Sequence, residues 1–291
     1  MASMRDIKRR KSSIMSTQQI TKAMKLVSTV KLQRAKGTAE KSHSYFEAMY
    51  ETVTNILSKA GAIDHRFLKS GSSNRKAVIF ITANRGLAGG YNSNMTKLLM
   101  GSDLEKEDLD IYAIGRRGAD ALKRKGYNVV YTDTEVIEAP TYVDAMKLAE
   151  TLLKKFEEEE IGEIYLAYTH FKNTVSHEPT LLKLLPVEIP EDELKKDNKA
   201  VSDDDRALMC FEPEDDAALD LIIPKYITSL IYGGLVEAVA SENGARMQAM
   251  DSATSNAEDM IQSLTLQYNR ARQGSITQEL TEIIAGSQAI S

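Results

Sequence analysis

With a single cysteine, Cys210, no tryptophan and six prolines in 291 residues, the chain is defined first by what it has little of. One cysteine rules out an internal disulfide framework and makes a reducing compartment the simpler setting. No run approaches the ~18 consecutive apolar residues that a membrane helix requires, so membrane association is expected to come through a partner. All six prolines lie between Pro140 and Pro224, leaving the first 139 residues and the last 67 without any. From Met4 to Lys59 the only glycine is Gly37. Both ends are therefore open to long helices, since neither helix breaker interrupts them. An apolar content of 42 % with 6 % aromatics fits a helix-rich folded chain with a sizeable core.

Charge is unevenly spread. Residues 1–41 carry eleven Lys or Arg against Asp6 and Glu40, a net of +9, so an overall charge of -5 leaves -14 on the other 250 residues. An Arg-rich, Ser-rich and acid-poor start fits a targeting peptide, a nucleic-acid arm or a basic solvated helix face. The cluster Lys8, Arg9, Arg10 and Lys11 could attract phosphate. The helix that follows lacks interleaved aromatics, and its apolar positions continue through Val30, which favours packing on protein; an acidic protein surface would satisfy the basic residues equally well.

Two helical runs dominate the pattern. At the N-terminus, Ile20, Ala23, Val27 and Val30 recur at spacings of three and four and mark one helix face. At about 1.5 Å per residue this helix could span up to ~80 Å. In the run from Asp215 to Ile290, a heptad register placed on Leu219 keeps eighteen consecutive a and d sites free of charge, and twelve of them are apolar. Met247, Met250, Ile261, Leu264 and Tyr268 fall on this expected coiled-coil seam. Its Ala, Gly, Ser and Thr members make it slimmer than a leucine zipper, and an ordinary long bundle helix would show the same period. Pro224 either begins the straight part of this helix or kinks it.

Between the runs the period changes. Ala77–Ala83, Asp110–Gly115, Tyr127–Asp133 and Glu163–Thr169 read as buried strands separated by helical stretches, the clearest of them Thr141–Glu160. Such alternation predicts a mostly parallel sheet with helices on its faces from about 75 to 210, with Pro179–Val187 adding a last strand. Glu188–Asp205 is acidic and lysine-rich without apolar periodicity and reads as an exposed loop. Three parts result: an N-terminal helix at 1–60, an α/β domain at 75–210 and a C-terminal helix at 211–291.

Signals of chemistry are sparse. NRGLAGGYNSN (Asn84–Asn94) leaves the first strand and enters a helix, and amides at such a helix start can cradle phosphate. It fits neither the dinucleotide fingerprint nor the P-loop pattern, so tight-turn packing is the favoured reading and phosphate binding the alternative. His170 and His177 could approach Glu178, but without zinc-like spacing they are expected to be surface or loop histidines. FEEEE (Phe156–Glu160) reads as a solvated helix end before a paired-carboxylate site. No nucleophile motif is visible, and neither a cofactor nor a metal is expected.

Three blocks carry a family resemblance: STQQITKAMKLVSTVKLQRA (Ser16–Ala35), NRGLAGG after the first strand, and ARQGSITQELTEIIAGSQAI (Ala271–Ile290). Together with Ser176–Val187 and Ser241–Ala257, and in that order along nearly the whole chain, they resemble the gamma subunit of F-type ATP synthases, in a bacterial-like form. The resemblance implies a non-catalytic central rotor stalk, whose terminal helices wind into an antiparallel left-handed coiled coil around an inserted Rossmann-like α/β domain. It implies partners as well: a hexamer of alternating alpha and beta subunits, an epsilon subunit and a membrane ring of c subunits, with catalytic sites on beta. By position, Arg272, Gln273, Thr277 and Glu279 look like polar contacts to a beta loop, and Met24 with Lys8 and Arg9 looks like the region facing beta's acidic lever. Ile283, Ile284, Ala285 and Ile290 look like the apolar tip of a bearing. Ala88 stands where many relatives carry cysteine, and the paired-cysteine insert of chloroplast relatives is absent. The short stretch before the shaft motif points to a bacterial form acting at the cytoplasmic face of the plasma membrane. A phosphate- or nucleotide-binding module with helical extensions is the alternative, and a nucleic-acid-binding helical protein a further one.

Overall fold

The computed structural model describes residues 4–59, 65–187 and 215–290. Cys210 and the acidic stretch 188–205 lie outside the described residues. The elements are α1 (Met4–Lys59), β1 (Lys76–Ile81), α2 (Tyr91–Met100), β2 (Leu109–Ile114), α3 (Arg116–Arg124), β3 (Asn128–Asp133), α4 (Tyr142–Glu157), β4 (Glu163–Phe171), β5 (His177–Leu185) and α5 (Asp215–Ile290). They form two compact units, Val30–Ala245 and Met1–Thr29 with Arg246–Ser291, and both α1 and α5 contribute to each.

The larger unit is a mixed sheet in the order β3-β2-β1-β4-β5, with β1 to β4 parallel and β5 antiparallel on β4. β1 is central and reads KAVIFI because both its faces are covered, as parallel strands require. Ala77, Ile79 and Ile81 point to one layer, where Ala145, Ala149, Leu152 and Phe156 of α4 meet them. Val78 and Phe80 point to the other, against Met95 and Leu99 of α2 and Leu122 of α3. The start of α4 is fixed by a capping box, in which Asp144 N–H donates to Thr141 Oγ1 and the Asp144 carboxylate accepts from Thr141 N–H.

α5 closes the α4 side of this sheet with a face that the heptad pattern does not describe. Ile223, Ile227, Ile231, Leu235 and Ala238 are all buried in the sheet's core, spaced four, four, four and three. Burying each large aliphatic is worth about 1.5–3 kcal/mol, which fixes the helix firmly. Averaged over a window, α5 is apolar enough to pass for a membrane span, but half of that window is buried inside the protein. Pro224 lies inside α5 and the helix continues through it, with Thr228 Oγ1 donating to its carbonyl at 2.8 Å. The first turns of α5 are anchored by His65. Its Nδ1 accepts from Phe67 N–H, so the neutral ring carries its proton on Nε2 and donates to Asp220 Oδ1 at 3.1 Å. Arg66 Nη2 donates to the same oxygen at 2.9 Å.

At the opposite edge of the central strands, Glu163 accepts from Lys76 Nζ at 2.8 Å, Tyr165 OH at 3.0 Å and Lys183 Nζ at 3.2 Å. Burial alone would raise its carboxyl pKa, but these three donors outweigh it and hold the pKa below the ordinary value. A depressed carboxylate contributes stability that is present above its unfolded pKa and lost as pH falls through its folded pKa. Glu163→Gln should therefore flatten the fall in melting temperature below about pH 4.3. An unchanged acid limb in thermal melts would refute this role.

In the smaller unit α1 and α5 run antiparallel. Gln18 Nε2 donates to Glu258 Oε1 at 2.9 Å, Thr21 and Thr254 share a hydroxyl hydrogen bond at 2.8 Å, and Lys25 Nζ donates to Asp251 Oδ1 at 2.5 Å. As the α1 partner advances from 18 to 25, the α5 partner retreats from 258 to 251, two helical turns in each. The inward face of α1 carries Ile7, Ile14, Thr21 and Ser28, spaced by sevens. This corrects the face expected from sequence: Ile20 is 60 % and Val27 59 % exposed, and Ala23 and Val30 are also exposed. Those residues do share a side of α1, but it is the side turned away from α5. On α1 the seam passes from Ile7 and Ile14 to Thr21 and Ser28, so the apolar period is stronger on the outward face.

Candidate functional site

The glycine-rich loop occupies the place where doubly wound sheets bind ligands, outside the carboxyl ends of the strands near the point where strand order reverses. Here β1 is that point, with β2 on one side and β4 on the other. The loop turns through left-handed positions at Leu87 (φ 64°) and Gly89 (φ 56°). Two donors at its start are engaged. Ala83 N–H donates to Asn92 Oδ1 at 3.0 Å, and Asn84 Nδ2 donates to Thr134 O at 2.6 Å.

The first three amides of α3, which could otherwise face an anion, end on protein acceptors. Arg116 N–H donates to Asn84 Oδ1 at 3.0 Å, Arg117 N–H to Ala83 O at 3.0 Å and Gly118 N–H to Thr82 Oγ1 at 2.9 Å. The crevice itself is filled by α5. Tyr91 OH donates to Ala238 O at 3.2 Å, Ser241 Oγ donates to Thr169 O at 3.1 Å, and Ala245 packs on Ala83, Ala88 and Tyr91. The loop thus works as a socket for the chain's own helix, which supports tight-turn packing over phosphate binding.

Among the described residues no group of three or more His, Cys, Asp or Glu could hold a metal. His170 stands opposite Glu178 in the β4–β5 register, but its Nδ1 lies 2.6 Å from Glu237 Oε2 on α5 while Glu178 pairs with Lys172. His177 is half-buried at the start of β5, beside the hairpin loop, with both its ring nitrogens sealed from solvent. Glu157 to Glu160 are exposed, as a solvated helix end should be, and each has a partner: Arg66, Lys154, Ser72 and Lys155.

The expected seam and contact residues lie on the two long helices, away from this crevice. Met250 and Leu264 are buried, and Met247, Ile261 and Tyr268 are half-buried. Beyond Ala271 the picture changes: from Arg272 to Gln288 every residue except the half-buried Ser275 is exposed. Met4, the first described residue of α1, is level with about residue 272 of α5, so among the described residues about 27 Å of α5 has no α1 beside it. Arg272, Gln273, Thr277 and Glu279 all lie on this single helix and are exposed. Thr277 Oγ1 donates back to Gln273 O at 2.9 Å, while Arg272 and Glu279 form no ion pair among the described residues. Ile283 is 68 % exposed, and Ile284 and Ala285 are exposed too. The side chain of Ile290 lies outside what the structure describes.

Two residues the sequence reading passed over, Ile276 and Leu280, are also exposed and extend the Ile283 and Ile284 stripe at spacings of four, three and one. A helix-period scan restricted to the last twenty residues would have found them. On α1, Lys8 and Arg9 are exposed, Arg9 pairing with Asp6 at 3.4 Å, and Met24 is half-buried. An ion pair this exposed contributes about 0–1 kcal/mol and leaves Arg9 available to a partner. Met15 and Leu26 join Ile20 and Val27 as exposed apolar residues on α1.

A family model described as ATP synthase matches residues 3–290. An ATP synthase gamma chain of Lachnoclostridium phytofermentans is 64 % identical over 291 residues, covering 100 % of both chains. A sodium-ion-specific ATP synthase gamma chain of Acetobacterium woodii is 39 % identical, with 98 % of each chain covered. Among solved structures, a chain of the Euglena gracilis mitochondrial ATP synthase superposes with a TM-score of 0.67 at 18 % identity, covering 99 % of this chain and 94 % of that one. A chain from a structure of the central stalk and c ring of the Tetrahymena thermophila mitochondrial ATP synthase gives 0.57 at 23 % identity over 80 % of this chain and 99 % of its own.

Proposed function

The chain belongs to the ATP synthase gamma chain family, and from that premise we propose that it is the central rotor stalk, carrying torque between a membrane c ring and a catalytic hexamer of alpha and beta subunits. The observation that carries this reading is the exposed single helix after Ala271, with its apolar stripe and unpaired polar residues. Such a helix makes sense inside a sleeve that covers it.

In this reading the chain is itself non-catalytic. The reacting nucleotides sit on beta, and the chain acts by asymmetry. Two paired helices and then one present a different face to each of three equivalent sites, and each face favours a different open or closed state through differential contacts. Arg272, Gln273, Thr277 and Glu279 contact a beta loop. Lys8, Arg9 and Met24 face an acidic segment of beta, which accounts for the +9 charge of the first 41 residues. Ile283, Ile284, Ala285 and Ile290 form the bearing, where apolar contact without directional bonds lets the tip slide between equivalent positions. The α/β unit meets epsilon and the c ring, placing the protein at the cytoplasmic face of the plasma membrane as a peripheral subunit in ion-coupled ATP synthesis and hydrolysis.

Reconstitution tests this. Purified alpha and beta subunits should hydrolyse ATP in a sustained way only when the chain is added, and it should co-purify with them. Equal sustained hydrolysis with and without the chain would end the rotor reading.

A further inference from the structure

The β4–β5 hairpin meets α5 through a histidine that has no hydrogen-bonding partner. His177 opens β5 and pairs in register with Phe171 at the end of β4. Its ring lies 5.7 Å from the Phe171 ring, tilted by 35°. Neither Nδ1 nor Nε2 has a hydrogen-bond partner, and neither is open to solvent. The ring rests on Gly244 of α5, where an added Cβ would lie 2.7 Å from His177 Cε1 and 3.1 Å from Nε2. Glycine at 244 is what lets the imidazole approach the helix backbone. Nearby, Thr169 Oγ1 is also buried without a partner.

An unpaired polar group of this kind is tolerable while neutral, at the cost of its lost hydration. A charged imidazolium in the same place would cost far more, because no acceptor replaces the lost water. The surrounding charges do not supply one. On β4 and α5, His170 and Phe171 N–H engage the Glu237 carboxylate, at 2.6 and 3.3 Å. On the hairpin, Lys172 and Glu178 pair with each other at 2.7 Å. From α1, the Lys36 ammonium lies 5.0 Å from the Phe171 ring centroid and adds positive charge. Burial accordingly pushes the His177 pKa down from its ordinary value.

We propose that the β4–β5 hairpin is a proton-sensitive clasp on α5: neutral His177 closes it against Gly244, and protonated His177 withdraws to water and opens it. The hairpin loop is the part free to move, since Ser241 Oγ still holds Thr169 O and Glu237 still holds Phe171 N–H. A group favoured in its neutral form by the closed state contributes stability that is complete above its free pKa, about 6.5 for histidine, and lost as pH falls through the lower closed-state value.

Hydrogen exchange on the full chain, corrected for intrinsic rates, tests the clasp between about pH 5 and 8. Protection of residues 172–177 should be severalfold lower at the acid end, with Phe171 N–H keeping its protection. His177→Phe, or His177→Gln where the phenyl ring is not accommodated, should remove this dependence, and His170→Gln should leave it intact. A flat profile in the unaltered chain, or a dependence that survives both His177 variants or vanishes with His170→Gln, would overturn the proposal. So would a nuclear magnetic resonance titration placing the His177 pKa at or above its ordinary value, a readout that needs no variant.

Discussion

Gly118→Val should prevent the α/β unit from folding stably. A Cβ at position 118 would lie 2.4 Å from Thr82 Oγ1 and 2.7 Å from both Thr82 Cγ2 and Phe80 Cε1, closer than any of these atoms tolerates. Phe80 and Thr82 are buried at the end of the central strand, so neither can swing aside into solvent. Overpacking a dense core costs typically 1–3 kcal/mol, and moving α3 away would also strand the three amides now donating to Asn84, Ala83 and Thr82. A loss of about 3 kcal/mol or more follows, a large part of a typical domain's stability. Gly118→Ala should be milder in the same direction, whereas Gly37→Ala on α1, which has no atom within 4 Å of its added Cβ, should be neutral or slightly stabilising. Urea unfolding of the three variants reads the order directly. If Gly118→Val matched Gly37→Ala in midpoint, the close approach of α3 to β1 would not be what holds the loop shut.

That contrast explains which parts of the molecule could be read from sequence. The strands were legible because their environment is uniform: β1 is buried on both faces, and AVIFI admits no other assignment at that length. α4 and its start at Thr141 were legible because capping chemistry is local. The packing face of α1 was not, since its inward residues Thr21 and Ser28 look like surface and its outward residues Ile20 and Val27 look like core. An apolar face that awaits a partner carries the same periodicity as one already buried within the chain. α5 was half legible: the heptad positions were visible, but Ile223, Ile227, Ile231 and Leu235 belong to a second face under the sheet, and a helix buried on two sides has no single period. The glycine loop could be placed but not judged, because whether amides meet a phosphate or α5 depends on residues 238–245, some 150 positions away.

Leu264→Asp should open the helix pair while leaving the α/β unit intact, because the seam depends on few apolar residues. The polar contacts along it are modest: Thr21 with Thr254 is worth about 0.5–1.5 kcal/mol net, and the exposed Lys25–Asp251 pair about 0–1. Leu264 is 7 % exposed, and removing such a side chain costs about 2–5 kcal/mol before the added carboxylate is counted. Placing an unpaired charge there raises the loss further, so Leu264→Asp should exceed Leu264→Ala, with Ile261→Asp smaller because that position is half-buried. Leu266, two residues on and 61 % exposed, supplies the control. Leu266→Asp should change the stability of the isolated chain by no more than about 0.5 kcal/mol. In the rotor reading the two variants then separate again in the assembled enzyme. Leu264→Asp should lower the ratio of ion pumping to ATP hydrolysis in membrane vesicles, since a splayed pair transmits torque poorly. Proton or sodium pumping unchanged in Leu264→Asp, with the isolated chain also unchanged in circular dichroism melts, would remove Leu264 from the seam.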